Sequence, residues 1–351
     1  MSAPCAAGNN SSPMTKIPLC APHSPLPIGP TAPWLAPLAG FSDLPFRLLC
    51  RENGARAACT EMVSVKGLSY NSPGTWDLLR TVPQDSPLIV QLFGGEAAFF
   101  SEPVRRLWDN GFAFIDLNAG CPVRKVIKTG AGAALMEDHA RLRHIVRTIQ
   151  EAAPVQIGVK LRLTRENTLT PLLRLRDELA RSGVSWLTLH PRTAQQGYAG
   201  NAFWPALTQM AHESPVPIVA SGDLFDAHAA LRCVKQTGVH GVMFARGALR
   251  NPRIFNEYKS LSCTSPPSSA QTAELPAASV AELVRRHGEL CRRHDPSRAM
   301  LVKMRSFVPR YVKGFPGAKI VRQGIIACQD WDAFDHFVHG LETELLATDD
   351  G

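Results

Sequence analysis

Residues 113–136 read Ala-Phe-Ile-Asp-Leu-Asn-Ala-Gly-Cys-Pro-Val-Arg-Lys-Val-Ile-Lys-Thr-Gly-Ala-Gly-Ala-Ala-Leu-Met. The stretch opens as an apolar run of the kind that forms a buried strand. Strand alternation puts Asp116 and Asn118 on one face. Gly120-Cys121-Pro122 then breaks the strand and sets a thiol just past its carboxyl end. Arg124, Lys125 and Lys128 follow, and then a Gly-Ala-Gly turn. An amide, a thiol and three cations thus fall together at the edge of what reads as a parallel sheet. Taken alone, such a cysteine is as well explained by packing, because free cysteine is among the most buried residue types. The rest of the chain turns the reading toward chemistry.

Seven further apolar segments read as strands: 34–40, 55–62, 88–93, 155–163, 184–190, 217–221 and 241–245. Helical patterns separate nearly all of them. Ser42 or Asp43 can cap the first helix, with Pro45 in its first turn, and Gly183 ends the helix over 172–181. Alternating β and α segments mean a parallel sheet. Eight such units in about 220 residues predict a (β/α)8 TIM barrel. A Rossmann-like open sheet is the alternative, but no Gly-x-Gly-x-x-Gly follows an early strand.

The chain has 351 residues, 45% of them hydrophobic, and a formal charge of +8. It can hold one large domain and a small one, and its charge permits a polyanionic partner. The nine cysteines are dispersed, without Cys-x-x-Cys. That argues for reduced thiols in a cytoplasm and against a disulfide scaffold or zinc site. His139 and His144 are not spaced to share a metal, so none is expected. No apolar run approaches a membrane span.

The domain reading is a disordered tail over 1–32, the barrel over 33–261, a Ser/Thr/Pro/Ala linker over 262–279 and a small helical domain over 280–347. Helical patterns cover 280–294, 297–312, 318–327 and 331–346. From Arg285 to Arg322 only Glu289 and Asp295 are acidic, and Phe307, Tyr311 and Phe315 are interleaved with the cations. Such a one-sided run suits RNA.

In an eight-stranded barrel the chemistry sits at the carboxyl ends of the strands. There the strands are interrupted by Glu61, Gln91, Asn118, Cys121, Lys160, Arg162, His190, Arg192 and Asp223. Packing does not call for nine polar groups on one rim, since each must be desolvated and bonded. Ser221-Gly222-Asp223 and Ala245-Arg246-Gly247-Ala248-Leu249 end the last two strands, where barrels often bind phosphate. Arg246 would add a charge-assisted contact.

Several motifs, taken in order, resemble the tRNA-dihydrouridine synthases. They are Ala36-Pro37-Leu38-Ala39-Gly40, Glu61-Met62-Val63, Val90-Gln91-Leu92-Phe93-Gly94, Asp116-Leu117-Asn118-Ala119-Gly120-Cys121-Pro122, Val159-Lys160-Leu161-Arg162, His190-Pro191-Arg192-Thr193, Ser221-Gly222-Asp223 and Ala245-Arg246-Gly247-Ala248-Leu249. The segment 310–318, Arg-Tyr-Val-Lys-Gly-Phe-Pro-Gly-Ala, is similar to one in the bacterial enzymes, especially the B-type. The resemblance spans about residues 34–255 and then this segment. It departs at Pro191, where many members have Gly, and at Ser221, where Asn is common.

The resemblance implies an FMN-containing barrel with a helical domain. Its implied activity is reduction of uridine in tRNA to 5,6-dihydrouridine, with NADPH as electron source. It implies that Pro37, Leu38, Ala39 and Gln91 line the flavin ring, with Lys160 near its N1 and C2 oxygen and His190 at the flavin or the base. The turns Ser221, Gly222, Asp223 and Ala245, Arg246, Gly247 would hold the ribityl phosphate. Asn118, Arg162 and Arg192 would address the substrate, and Cys121 would donate a proton. A cytoplasmic monomer is expected. Two other readings compete: another FMN barrel oxidoreductase, of the dihydroorotate dehydrogenase kind, and a tRNA-binding protein without catalysis.

Overall fold

The computed structural model describes residues 25–164, 168–263 and 276–346. Of the expected tail and linker, residues 1–24 and 264–275 lie outside the described residues. The apolar segments form eight parallel strands: β1 (Trp34–Leu35), β2 (Ala57–Ser64), β3 (Leu88–Phe93), β4 (Phe114–Ala119), β5 (Gln156–Leu163), β6 (Trp186–Thr193), β7 (Ile218–Ala220) and β8 (Gly241–Phe244). They close in sequence order, β8 returning to β1 with Trp34 opposite Met243 and Leu35 opposite Phe244. The expected (β/α)8 barrel is the fold, and a helical region follows it.

On the outside lie α1 (Leu44–Glu52), α2 (Val65–Ser69), α3 (Pro73–Asp77), α4 (Ser101–Asp109), α5 (Arg124–Ile127), α6 (His139–Ala152), α7 (Thr170–Arg181), α8 (Pro205–Ala211), α9 (Ala227–Thr237), α10 (Arg246–Arg250) and α11 (Ile254–Cys263). Local chemistry sets their starts. Asp43 caps α1 by accepting from Phe46 N at 2.9 Å, with Pro45 in the first turn. Asp138 and Asp226 cap α6 and α9 in the same way.

Strand alternation divides each strand between two apolar layers. Ile115, Leu117 and Ala119 face the helices. The other face of the strands builds a plug inside the barrel from Trp34, Ala57, Cys59, Ile89, Phe114, Trp186, Val219 and Met243. Trp34 and Trp186 meet edge-on at 5.8 Å. Residue 158 is glycine for this reason: a Cβ there would stand 2.0 Å from the Trp186 ring. Leu26 joins the plug, and Pro27 O accepts from the Trp34 indole at 2.8 Å, so residues just before the barrel pack on it. One alternation step above the plug the inward residues turn polar. Ile89 gives way to Gln91, Phe114 to Asp116 and Asn118, Gly158 to Lys160, and Trp186 to Thr188 and His190.

Two strands differ from their expected bounds. β1 is only two residues long, because the chain after Leu35 leaves the sheet to form a turn at the barrel mouth. β6 runs on to Thr193. Its pairing with β5 shifts between Arg162 and Leu163, and Pro191, which has no N–H to give, sits on β6 where the register slips.

The last four helices are α12 (Ala277–His294), α13 (Arg298–Tyr311), α14 (Ala318–Ala327) and α15 (Trp331–Leu346). They are fused to the barrel through α1. Leu283, Val284, Met304 and Phe307 belong to the same continuous core as Phe46 and Leu49. Phe307 packs 5.0 Å from Phe46 and 4.5 Å from His287. An ion pair from Arg286 to Glu52, 2.6 Å, spans the same seam. Among the described residues no helix is long and apolar enough to cross a membrane, and no group of three or more His, Cys, Asp or Glu could hold a metal.

Candidate active site

The polar groups above the plug are joined by one chain of hydrogen bonds. Gln91 Nε2 donates to Asp116 Oδ2 at 2.6 Å, and Asn118 Nδ2 donates to Gln91 Oε1 at 2.9 Å. Asn118 Oδ1 then accepts from Gly120 N at 3.1 Å and Cys121 N at 2.9 Å. Each amide has its orientation fixed, because an ionised carboxylate only accepts and a backbone N–H only donates. The side chain of Asn118 therefore forms the turn that carries the thiol. Ala133 N donates to Cys121 O at 3.0 Å, and Gly132 at φ +62 lies so close that a Cβ would meet Cys121 O at 2.7 Å. Strand end, amide and Gly-Ala-Gly turn brace the Cys121 backbone while the residue stays partly accessible.

Lys160, on the next strand, makes no hydrogen bond or ion pair with any described residue. Burial, with help from Arg162 and against the pull of Asp116, lowers its pKa to about 8. Asp116 moves the other way, raised to about 6 by burial although Gln91 and Lys160 oppose the rise. His190 is lowered to about 2 by burial and by the cations Lys160, Arg162, Arg192 and Arg246, so it is neutral. Its Nε2 lies 3.1 Å from Arg192 Nη1. Arginine can only donate, which makes Nε2 the acceptor and puts the ring proton on Nδ1.

Arg192 is 1% exposed and spent within the protein. It donates to both oxygens of Asp223 at 2.8 and 2.7 Å, to Gly200 O at 2.6 Å and to Ala199 O at 3.2 Å. The expectation that it meets substrate shifts to a supporting part behind His190 and Asp223. Asp223 also accepts from Arg246 Nη2 at 3.1 Å and Ala202 N at 2.7 Å. Arg162 gives Nη1 to Thr193 O and Gly197 O at 3.1 and 2.8 Å, with no bond to a described residue at its other nitrogens.

Pro37, Leu38, Lys160, His190, Ser221, Gly222, Asp223, Ala245 and Arg246 line one cavity of about 70 Å³. Of the residues expected to gather there, these meet directly, and Gln91, Asn118 and Arg162 stand beside them on β3, β4 and β5. Gly222 has φ +117, and a Cβ on it would meet the His190 ring at 2.7 Å. Ala39 belongs to the same turn as Pro37 and Leu38, and Gly247 lies against Leu224 O, where a Cβ would come within 2.4 Å. Two aromatic residues that the motifs did not flag also line this cavity. Tyr198 and Phe225 are 62% and 44% exposed, and the Arg246 guanidinium lies 4.8 and 4.7 Å from their rings. A roomier groove of about 930 Å³ between α11 and the end of α13 contains no thiol.

Arg124, Lys125 and Lys128, just past Cys121, have no ion-pair partner among the described residues. The cations of the C-terminal helices divide. Arg285, Arg286 and Arg292 pair with Glu282, Glu289, Glu52 and Asp335. Arg293, Lys313, Lys319 and Arg322 are exposed and unpaired with any described carboxylate. The one-sided charge thus survives mainly from Arg293 onward.

The barrel mouth thus holds a braced thiol and, one strand away, a partly buried Lys160 with no bonded partner among the described residues. The family model for "Dihydrouridine synthase (Dus)" matches residues 34–344. The chain belongs to the dihydrouridine synthase family. It is similar to a "Probable tRNA-dihydrouridine synthase 1" from Synechocystis sp., 32% identical over 296 residues that cover 82% of this chain and 80% of that one. It is also similar to "tRNA-dihydrouridine synthase B" from Pseudomonas aeruginosa, 31% identical over 304 residues, covering 85% and 89%. Among solved structures, the histamine dehydrogenase from Rhizobium sp. 4-9 shares the fold, with TM-score 0.50 and 13% identity over 73% of this chain and 48% of that one. Membership of the family makes this chain an enzyme and covers the C-terminal helices as well as the barrel.

Motif reading passed over two buried hydroxyls. Thr60 is one: its hydroxyl accepts from Gln91 N at 3.1 Å. Thr188 is another, a buried hydroxyl with no partner among the described residues. Inward parity on β6, two residues before His190, was the available signal for Thr188.

Proposed function

We propose that this enzyme reduces uridine to 5,6-dihydrouridine in tRNA, with FMN as cofactor and NADPH as electron source. The observation that carries the reading is the bonded run from Asp116 through Gln91 and Asn118 to the backbone of Cys121, set beside an unpaired Lys160. The printed names of the relatives supply the substrate class.

The residues suit a flavin. Asp116 Oδ1 and Thr188 Oγ1 are buried without partners among the described residues, Lys160 has no bonded partner among them, and Gly222 brings its backbone so close to His190 that a Cβ would collide with the ring. A ligand of this size needs at least about 300 Å³, so Tyr198 and Phe225 must turn outward to admit it. Pro37, Leu38, Ala39 and Gln91 would line the ring, with Lys160 and His190 at its polar edge. The turns at Ser221, Gly222, Asp223 and at Ala245, Arg246, Gly247 would take the phosphate. Asp223 does not repel it, since Arg192 and Arg246 already match that charge.

Bound FMN supplies a hydride to uracil C6. The remaining work falls to the chain. Lys160 places positive charge where negative charge gathers in a low-dielectric site. The second N–H of the Asn118 amide and the free nitrogens of Arg162 can meet the uracil oxygens. Cys121 Sγ gives its proton to C5 as a general acid. The base must leave its stack to reach this site. The basic loop Arg124–Lys128 and the helical region, expected over 280–347, hold the tRNA by its phosphates and shape. We place the enzyme in the cytoplasm as a monomer, without a metal.

The test is direct. Full-length protein, FMN, NADPH and unmodified tRNA should yield dihydrouridine, and the protein should retain FMN. Failure to form dihydrouridine in any tRNA, with flavin bound and reducible, would overturn the proposal.

A further inference from the structure

The turn at the barrel mouth is held from outside the barrel. After Leu35 the chain turns back on itself. Phe41 N and Ser42 N both donate to Leu38 O at 2.9 Å, and Leu38 N donates to Ser42 Oγ at 3.0 Å. Pro37 and Leu38 face the cavity with Lys160 and His190. The tip of the turn is Gly40, at φ +81, a conformation that favours glycine. Its N–H donates to Glu61 Oε2 at 2.5 Å, within β2.

Glu61 is in turn tied to α13. Lys303 Nζ lies 3.5 Å from Glu61 Oε1 and 2.6 Å from Asp43 Oδ2, and the other oxygen of Asp43 caps α1. The Lys303 side chain is only 25% exposed. Burial pulls its pKa down, but the two carboxylates outweigh that and hold it above the ordinary value. One and two turns further along the same face of α13 come Phe307 and Arg310. Phe307 meets Phe41 edge-on at 5.4 Å, and the Arg310 guanidinium stands 4.5 Å over the Phe41 ring. Three side chains of one helix face therefore clamp a five-residue turn of the barrel.

We propose that Lys303 is a positioning residue for the cofactor-facing turn, setting Gly40 through Glu61 and so fixing Pro37 and Leu38. It does not serve as an RNA contact, although it lies in the basic C-terminal region. Among the described residues Lys303 is the one cation ion-paired to both acids, so without it Glu61 and Asp43 repel each other and Glu61 swings away from Gly40. The functional part of this claim rests on the flavin reading above.

The experiment uses full-length protein as purified, with Lys303→Met, Lys303→Arg and, as control, Glu52→Gln. The control breaks the Arg286 bridge at the same seam but does not touch the turn. Glu61→Ala cuts the link from the barrel side and stands in if Lys303→Met does not fold. Three quantities are measured: FMN affinity, tRNA affinity at fixed salt, and amide hydrogen exchange over residues 38–42. Lys303→Met should weaken FMN by about tenfold, the scale of one lost charge-assisted bond, and speed exchange in the turn. Its tRNA affinity should stay within about twofold, a change too small for a lost phosphate contact. Lys303→Arg should restore FMN binding, and Glu52→Gln should leave it unchanged. Weakened tRNA with unaltered FMN would make Lys303 an RNA contact and overturn the proposal. An equal loss in Glu52→Gln would reduce it to general loosening and overturn it too. If the wild type takes no FMN, the flavin reading fails. Exchange then decides alone: faster in Lys303→Met supports the positioning claim, and unchanged exchange sinks it.

Discussion

At the scale of single residues, Asn118 separates a contact role from a placing role. Its oxygen is committed to Gly120 N and Cys121 N, and one amide hydrogen to Gln91. Asn118→Ala frees the turn that carries the thiol. The tRNA-dependent step should slow by roughly 10²-fold, the effect of misplacing a reacting group by about 1 Å. Reduction of the flavin by NADPH should be unchanged. Separate timing of the two half-reactions checks this, and an equal loss in both would point to a collapsed cavity. His287 gives a pH prediction. Burial, against the pull of Asp43, lowers it to about 4, and its Nδ1 shares a hydrogen bond with the Tyr311 hydroxyl at 3.0 Å. The unfolded chain takes up a proton near pH 6.5 that the folded one refuses until about 4. Stability is therefore full above 6.5 and declines as pH falls toward about 4. Asp116, raised to about 6, has the opposite sign: its contribution is present below pH 3.8 and is lost as pH rises through about 6. His287→Gln should flatten the acid-side decline in unfolding midpoint. A His287→Gln variant that loses stability as steeply as the wild type between pH 6.5 and 4 would contradict the assignment.

At the scale of elements, α1 is the member that joins everything else. Arg47 is fully buried on it and donates to Asp85 Oδ2 at 2.8 Å, Ser42 O at 2.7 Å and Arg80 O at 2.7 Å. Arg47→Met leaves the Asp85 carboxylate in the interior with, among the described residues, Arg51 at 3.7 Å and the Thr81 hydroxyl at 3.1 Å. The expected loss is about 3–5 kcal/mol, read from denaturant unfolding; a loss under about 1 kcal/mol would mean that Asp85 finds water. The strands were legible because period-two alternation survives burial on both faces: Asp116 and Asn118 read as sharing one face from the letters alone. The end of β1 was not legible, since Ala36 to Gly40 stays apolar after it leaves the sheet. The division of labour on β6 was also hidden. His190 and Arg192 look equivalent as spaced polar residues, and only the fold brings Asp223 and Gly200 around Arg192 and removes it from the cavity. Tyr198 was invisible for the same reason, as a lone aromatic in a polar loop.

At the scale of the whole molecule, barrel and helices share one core, and the charge left over faces outward. The run from Arg285 to Arg322 was read as one-sided, with only Glu289 and Asp295 acidic, yet Glu52 and Asp335, distant in sequence, neutralise part of it. Sequence proximity cannot reveal such pairings. Lys313, Lys319 and Arg322, without an ion-pair partner among the described residues, are the phosphate contacts that the proposed function calls for. Each alanine substitution should weaken tRNA binding across all sequences and lower the salt slope by about one. Substitutions are the right instrument here, because removing α12–α15 would uncover Phe46 and Leu49. Unchanged slopes in all three variants would place the RNA elsewhere on the molecule.

The central claim is that the thiol held by Asn118 delivers the C5 proton. Stopped-flow measurement of Cys121→Ala tests it most directly. Flavin binding and flavin reduction by NADPH should match the wild type, while reoxidation by tRNA slows by roughly 10²–10⁴-fold, the usual contribution of a positioned general acid. Cys121→Ser should not restore the rate, because an alcohol is a far weaker acid. A Cys121→Ala enzyme that reoxidises with tRNA at the wild-type rate would show that the proton comes from another group.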